Sequence, residues 1–212
     1  MDIVDPRIDA YMRSRLARYD EPVLLEMEAE AAERDFPIVE RNVGVTLEVL
    51  ARSVGARRVI ELGSGFGYSG YWHARAVGPG GDLHLTDGDP ENERKARDYL
   101  GRAGLWDVVT YHVGDAVASL NALDGEFDVI YDDIDKEGYP DAWRAARDRI
   151  RIGGLYVCDN VLWYGRVAEG GEPPDDRTPA VLEHNALIAE DDRYVSTIVP
   201  TRDGVMVAIR IA

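Results

Sequence analysis

From Arg57 onward the chain alternates in one consistent way: a short apolar run, a turn, an amphipathic stretch, then another apolar run. The runs "RRVIEL" (57–62), "DLHLTD" (82–87), "VVTYHV" (108–113), "FDVIYD" (127–132) and "GLYVCD" (154–159) read as strands. Helices are expected between them over 67–77, over 90–104 with Pro90 in the first turn, briefly up to Leu120, and over 139–150. Apolar strands separated by helices need cover on both faces, which gives βαβ units and a mostly parallel sheet. A Gly/Pro-rich loop (165–179) and a helix near 179–190 precede two closing strands, "YVSTIVP" and "GVMVAIRI". The tight "TRDG" between them requires antiparallel pairing. Upstream, 5–35 reads as one or two helices broken near Pro22, and 42–55 as a helix ended by Gly55. With no repeat or linker, the expectation is one domain over 1–212: a helical extension (1–55) and an α/β core (56–212) of seven strands.

The chemistry starts at the first strand's end, in "ELGSGFGYS" (61–69). Gly63, Gly65 and Gly67 let the backbone turn sharply and approach a ligand where a helix begins. The dinucleotide fingerprint would need glycine at 68, and the chain has Tyr68. A pyrophosphate is therefore disfavoured. The second strand ends at Asp87, followed by Gly88, where a carboxylate can accept both ribose hydroxyls of a nucleoside. After the third strand, "GDA" offers Asp115 to an adenine amino group. Three such signals at three successive strand ends indicate an adenosine-bearing ligand. "DGDP" is also a turn and helix cap in its own right.

The fourth strand runs into "YDDIDKEGYP" (131–140), and the fifth into "CDN" (158–160). Adjacent strands lie about 4.8 Å apart, so Asp133, Asp159 and Asn160 can converge on one ion. These are hard oxygen donors, suited to Mg²⁺, Mn²⁺ or Ca²⁺. His73, His84, His112 and His184 have no ligand spacing and read as surface or packing residues. A solvated acidic turn is the bland alternative for "DDIDK".

"VIELGSGFGYS", "GDA", "DDIDKEGY", "DNVLWYGRV" and "HNALIAEDDRYVSTIVPTRDGV" together resemble the cation-dependent O-methyltransferases that use S-adenosylmethionine. This group contains the caffeoyl-coenzyme A and catechol O-methyltransferases and their prokaryotic relatives. The resemblance runs in register from about Asn42 to the C-terminus. It implies a Rossmann-like class I methyltransferase fold, a mostly parallel seven-stranded sheet with a final antiparallel strand plus N-terminal helices. It implies that the methyl donor meets Glu61, Gly63, Ser64, Gly65, Gly67, Tyr68, Ser69, Asp87, Gly88, Asp115, Ala116 and Asp133. Ser69 is expected near its methionine carboxylate, and the backbone of Val43 and Gly44 over its methionine end. It further implies that Asp133, Asp159 and Asn160 hold the metal and that Lys136 is the catalytic base. Trp163 and Tyr164 either flank a planar acceptor ring or anchor their loop. Ile134 stands where the catechol enzymes carry tryptophan. The loop 165–179 is expected to be mobile and to serve as a lid.

Composition sharpens the lysine. Of 24 basic residues only Lys95 and Lys136 are lysines. Arginine is effectively always protonated, whereas a lysine beside a metal ligand and a sulfonium can release its proton. The net charge of −16 is spread along the chain and opposes nucleic-acid backbones. With arginine replacing lysine, it suggests a salt-rich, halophilic cytoplasm, where ions screen self-repulsion. No apolar run is long enough to span a membrane. The single cysteine, Cys158, fits a reducing compartment and a packed structural thiol.

The expected activity is thus metal-dependent methyl transfer from S-adenosylmethionine to a hydroxyl of a small vicinal-dihydroxy acceptor. The rivals are the same chemistry on a hydroxylated tRNA nucleoside, or a non-catalytic S-adenosylmethionine-binding protein. By resemblance the partner is a second copy of the chain, in a cytoplasmic homodimer.

Overall fold

A computed structural model describes residues 3–212. Helices α1 (Pro6–Ser14), α2 (Pro22–Arg34) and α3 (Arg41–Ser53) precede an alternating core. The core runs β1 (Arg58–Leu62), α4 (Tyr68–Val77), β2 (Asp82–Asp87), α5 (Pro90–Arg102), β3 (Val109–Val113), α6 (Ala116–Ala122), β4 (Phe127–Asp132), α7 (Tyr139–Ala146), β5 (Ile150–Cys158), α8 (Thr178–Ala189), β6 (Tyr194–Val199) and β7 (Val205–Arg210).

The seven strands form one sheet in the order β3-β2-β1-β4-β5-β7-β6. The first five are parallel, and β7 pairs antiparallel with both β5 and β6. This is the mixed sheet, with helices on both sides, of the Rossmann-like methyltransferase fold. The chain steps outward from β1 to β3, then returns to place β4 on the other side of β1. A crevice opens at that switch point, beyond the strands' carboxyl ends.

Alternation along the strands divides the core in two. Val59, Val129, Leu155 and Val157 face the layer that holds Leu24, Met27, Val43, Leu47 and Trp72. Ile60, Ile130, Tyr156 and Cys158 face the layer of Leu120, Trp143, Ile150 and Ile188. The N-terminal helices are thus part of one face of the core. Polar pairs fix them in place. Glu28 of α2 accepts from Tyr68 at 2.6 Å and from Arg41 at 2.7 Å, and Glu30 binds Lys95 and Tyr99 of α5.

One expected boundary is corrected. The helix expected over 139–150 ends at Ala146, and the strand expected from Gly154 begins at Ile150, opposite Phe127. Arg149 explains the early break. Its guanidinium donates to the carbonyls of Leu120, Leu123 and Gly125, which pulls the chain out of the helix and toward β4.

Candidate active site

The crevice holds a cavity of about 840 Å³. Its cofactor end is made by the glycine loop. Gly63, Gly65 and Gly67 all have φ between +48° and +89°, where a side chain would be strained. A Cβ on Gly63 would stand 2.5 Å from the carbonyl oxygen of Asp133, so the loops after β1 and β4 are in direct contact. Gly63, Ser64, Gly65, Tyr68 and Ser69 line the cavity, whereas Gly67 starts α4 and packs on Ala96. Two residues that the sequence did not single out hold this loop in shape. Thr86 Oγ1 accepts from Gly63 N at 3.2 Å, and Tyr111 OH donates to Gly65 O at 2.6 Å.

Asp87, Gly88, Asp115 and Ala116 form the next stretch of wall. Asp87 accepts from Gly65 N at 3.1 Å with Oδ2, and from Asp89 N and Asn92 with Oδ1. Its carboxylate is therefore pre-oriented by the glycine loop on one side and by the start of α5 on the other. Asp115 caps α6, accepting from Ala118 N at 2.7 Å.

Besides Gly67, three expected cofactor residues do not reach the cavity wall. Val43 is fully buried in the core, and Gly44 packs so closely on Trp72 that a Cβ would lie 2.2 Å from the indole nitrogen. Glu61 has no exposed surface. Its carboxylate accepts from Ser69 Oγ and meets His73 Nδ1 at 2.9 Å, so Glu61 acts on the cavity only by orienting Ser69.

The other end is built by the segments after β4 and β5. Asp132 and Cys158 are paired in the sheet, so Asp133 and Asp159 emerge side by side, as strand spacing requires. Asp133 and Asn160 line the cavity, with the fully buried Asp159 behind them. Burial holds the carboxyls of Asp133 and Asp159 above the usual carboxylate range, and for Asp133 the neighbouring Asp159 adds to it. Two cationic side chains lean on this pair: Lys136 Nζ is 3.2 Å from Asp133 Oδ1, and an Arg202 nitrogen is 3.4 Å from Asp159 Oδ2. Among the described residues the countercharges of these adjacent carboxylates, Asp159 fully buried and Asp133 23% exposed, are a lysine and an arginine; beside a carboxamide, the pair fits a hard divalent cation.

Lys136 is almost buried and donates to Tyr139 OH at 2.6 Å as well as to Asp133. Asp135 is exposed. The backbone beyond β5 is unusual: Asn160, Trp163 and Tyr164 all have positive φ, of 57°, 46° and 55°. Such strain persists only when surroundings impose it. Here the 203–204 turn does so, since Leu162 N donates to Asp203 O at 2.9 Å and Tyr164 N to Asp203 Oδ1 at 2.6 Å. Trp163 is 9% exposed and donates from Nε1 to Asp175 at 2.8 Å, tying down the 165–179 loop. Tyr164 is 51% exposed. Both line the cavity.

Beneath the site lies a cluster that the spacing of the histidines had hidden. Asp132, Cys158 and His184 place ligand-capable atoms within 4.8 Å of one another. Tyr156 OH donates to Asp132 at 2.6 Å and stands 3.0 Å from His184 Nε2, so these groups satisfy one another. His184 is therefore a buried network residue rather than a surface one. Burial drives the Cys158 thiol well above its ordinary range, as a structural thiol requires.

The comparisons with known proteins point to one family. The profile of a family described as O-methyltransferase matches residues 14–211. A catechol O-methyltransferase of Niastella koreensis is 33% identical, over 95% of this chain and 96% of its own. The structure resembles the O-methyltransferase TomG of Streptomyces achromogenes, involved in tomaymycin synthesis and solved with S-adenosylmethionine, at a TM-score of 0.83 and 29% identity over 91% of each chain. It also resembles an O-methyltransferase of Bacillus cereus solved with S-adenosylhomocysteine, at a TM-score of 0.81 and 29% identity over 90% of this chain and 91% of the other. The chain therefore belongs to the O-methyltransferase family, and it is an enzyme of that class.

Proposed function

We propose that the protein moves a methyl group from S-adenosylmethionine to a hydroxyl of a small vicinal-dihydroxy acceptor with the help of a divalent cation, Mg²⁺ first among Mg²⁺, Mn²⁺ and Ca²⁺. One observation carries the reading. A single cavity joins a glycine loop, Asp87 and Asp115 at one end to Asp133, Asn160 and Lys136 at the other. The cofactor complexes of structurally similar O-methyltransferases support the methyl donor, and the donor set of Asp133, Asp159 and Asn160 supports the cation.

In this reading the glycine loop lies along the donor, Asp87 accepts its ribose hydroxyls and Asp115 faces its adenine. Ser69, held by Glu61 at the start of α4, meets the methionine end. Asp133, Asp159 and Asn160 would hold the cation, which when bound would favour the ionised form of the acceptor hydroxyl. Lys136 Nζ takes the proton of that hydroxyl. Trp163 and Tyr164 bound the acceptor ring, while Lys136 and the Asp133 loop hold its oxygen in line with the methyl carbon and the sulfur.

The reading takes residues 1–212 as one functional domain in a salt-rich cytoplasm. Among the described residues no helix is long and apolar enough to cross a membrane. A second copy of the chain is the proposed macromolecular partner. Val195 and Val199, 59% and 37% exposed on the edge strand β6, supply apolar surface for it. A monomer by sedimentation at micromolar concentration would remove that part.

The test of the activity is calorimetric binding of S-adenosylhomocysteine and of Mg²⁺ in high KCl, then methyl transfer to a catechol panel with and without chelator. Chelator-sensitive transfer supports the full reading. Cofactor binding without transfer to any diol would overturn the acceptor class and turn attention to a hydroxylated tRNA nucleoside.

A further inference from the structure

We propose that Arg202 selects the acceptor by charge, so that the preferred substrates are vicinal diols carrying a carboxylate; this rests on the diol reading above. Arg202 sits in the turn between β6 and β7, with φ of 47°. Its position is fixed. Val161 N donates to Gly204 O at 3.1 Å and Tyr164 N to Asp203 Oδ1 at 2.6 Å, which locks the turn to the segment carrying Asn160, Trp163 and Tyr164. The side chain is 28% exposed and lines both the 840 Å³ cavity and a neighbouring one of about 610 Å³.

Among the described residues, what the guanidinium touches is sparse. It lies 3.4 Å from Asp159 Oδ2 and 3.9 Å from Glu40 Oε1. A satisfied guanidinium makes two parallel, short bonds to one carboxylate, and it has five N–H donors in all. Arg202 makes no such fork with either partner. The other cations on this wall are better occupied or further out: Lys136 has Asp133 and Tyr139, and Arg177 is half exposed and paired with Glu137 at 3.2 Å.

A structural role alone does not account for this placement. Asp159 is one of the proposed cation ligands, so an arginine beside it competes with the cation for the same carboxylate and repels it. A third, negative group resolves that conflict. A carboxylate on the acceptor meets the unused face of the fork while the diol oxygens lie toward Asp133 and Asn160. Glu40, 35% exposed at the far side, repels an anion that goes past Arg202, which limits how far from the diol the carboxylate can sit.

The test uses the full chain with S-adenosylhomocysteine and Mg²⁺, titrated with 3,4-dihydroxybenzoate and with its neutral carboxamide. Methyl transfer to the same pair is measured in parallel. The wild type is expected to bind the benzoate roughly tenfold or more tightly than the amide, the size of one charged bidentate contact. In Arg202→Gln that preference collapses through Kd and KM, and Arg202→Lys restores part of it. An unchanged S-adenosylhomocysteine affinity in the variants reports an intact fold. Equal binding of the two diols by the wild type, or a preference that survives Arg202→Gln, overturns the inference. Binding with the expected preference but no transfer overturns the diol methylation reading and leaves the role of Arg202 standing. Binding of neither overturns both.

Discussion

The ammonium of Lys136 and the phenol of Tyr139 lie 2.6 Å apart, and the same hydroxyl donates to the backbone carbonyl of Asp159 at 2.8 Å. Because the only proton of the Tyr139 hydroxyl is committed to Asp159, its oxygen must accept from Lys136. The ammonium's other two hydrogens go to Asp133 Oδ1 and to the Ile134 carbonyl, each at 3.2 Å, so the lysine is held on three sides at the cavity wall.

Replacing that lysine separates charge from proton transfer. Lys136→Arg keeps a cation but removes a base, and kcat is expected to fall by about a hundredfold or more. S-adenosylhomocysteine affinity should persist. Tyr139→Phe is expected to cost about 1–3 kcal/mol of stability, by leaving a buried carbonyl short of a partner, and to lower kcat less than Lys136→Arg does. Full turnover by the arginine variant in a single-turnover assay would remove the base from the mechanism.

Cation binding should depend on pH in a definite direction. Burial raises both Asp133 and Asp159, with Asp159 adding to the rise at Asp133, so each must give up a proton that it holds more tightly than usual before it can serve as a ligand. Mg²⁺ affinity by calorimetry is expected to be higher at pH 8 than at pH 6. Asp133→Asn and Asp159→Asn should each lower it by about tenfold or more. Pre-steady chelation that leaves transfer intact at either pH would contradict the cation's role.

At the opposite end, Asp87 is expected to carry much of the nucleoside recognition. Asp87→Ala removes the partner of Gly65 N and the acceptor offered to the ribose, so S-adenosylhomocysteine should bind about 10- to 100-fold more weakly, as loss of charged hydrogen bonds implies. Mg²⁺ binding in the absence of cofactor is the control that should not move with it.

His184 links stability to acid. Burial is the main cause that pushes its imidazole from 6.5 down to about 4, with Asn185 opposing and Lys136 adding to the shift. The unfolded chain takes up a proton below pH 6.5 that the folded chain refuses until about pH 4. The stability present above pH 6.5 is therefore lost as pH falls through that window, by on the order of 3 kcal/mol. Asp132, raised to about 6 by its own burial, works the other way as pH falls from 6 toward 3.8. The isolating comparison is wild type against His184→Gln. Thermal midpoints between pH 7 and 4 should fall less steeply in the variant.

Salt should stabilise the chain. A net charge of −16 repels itself, and ions screen that repulsion. The midpoint is expected to rise between dilute buffer and molar KCl. Equal midpoints would argue against the proposed habitat, because the pairs of α2 with α4 and α5, such as Glu28 with Tyr68 and Glu30 with Lys95, then suffice without screening.

The strands that were legible in the sequence were those with two buried faces. β2 and β4 fall on 82–87 and 127–132 as expected, because an apolar run bounded by Asp or Gly admits few other readings. The start of β5 was hidden because "RIRIGG" contains two arginines and two glycines, and only its pairing with Phe127 and the anchoring of Arg149 make it a strand. In the site, the strand-end residues were legible because parallel topology dictates where they emerge. Thr86, Tyr111, Tyr139 and Arg202 were not. Each acts through a contact with a distant segment, and no local spacing announces it. The Glu61–His73 pair shows the same limit from the other side, since a strand-end carboxylate that the resemblance set against the methyl donor turns out to be buried beneath the wall.

Gly63 has a further consequence. Its α-carbon is pressed so closely on the Asp133 carbonyl that no methyl group fits between them, so neither loop can shift without the other. On the proposed reading, donor and cation affinity become terms of one heterotropic equilibrium, and each is expected to change the other by the same factor. The cycle can be closed by measuring Mg²⁺ affinity with and without S-adenosylhomocysteine, and the reverse. In Gly63→Ala, where the loops are forced apart, that common factor should move toward one.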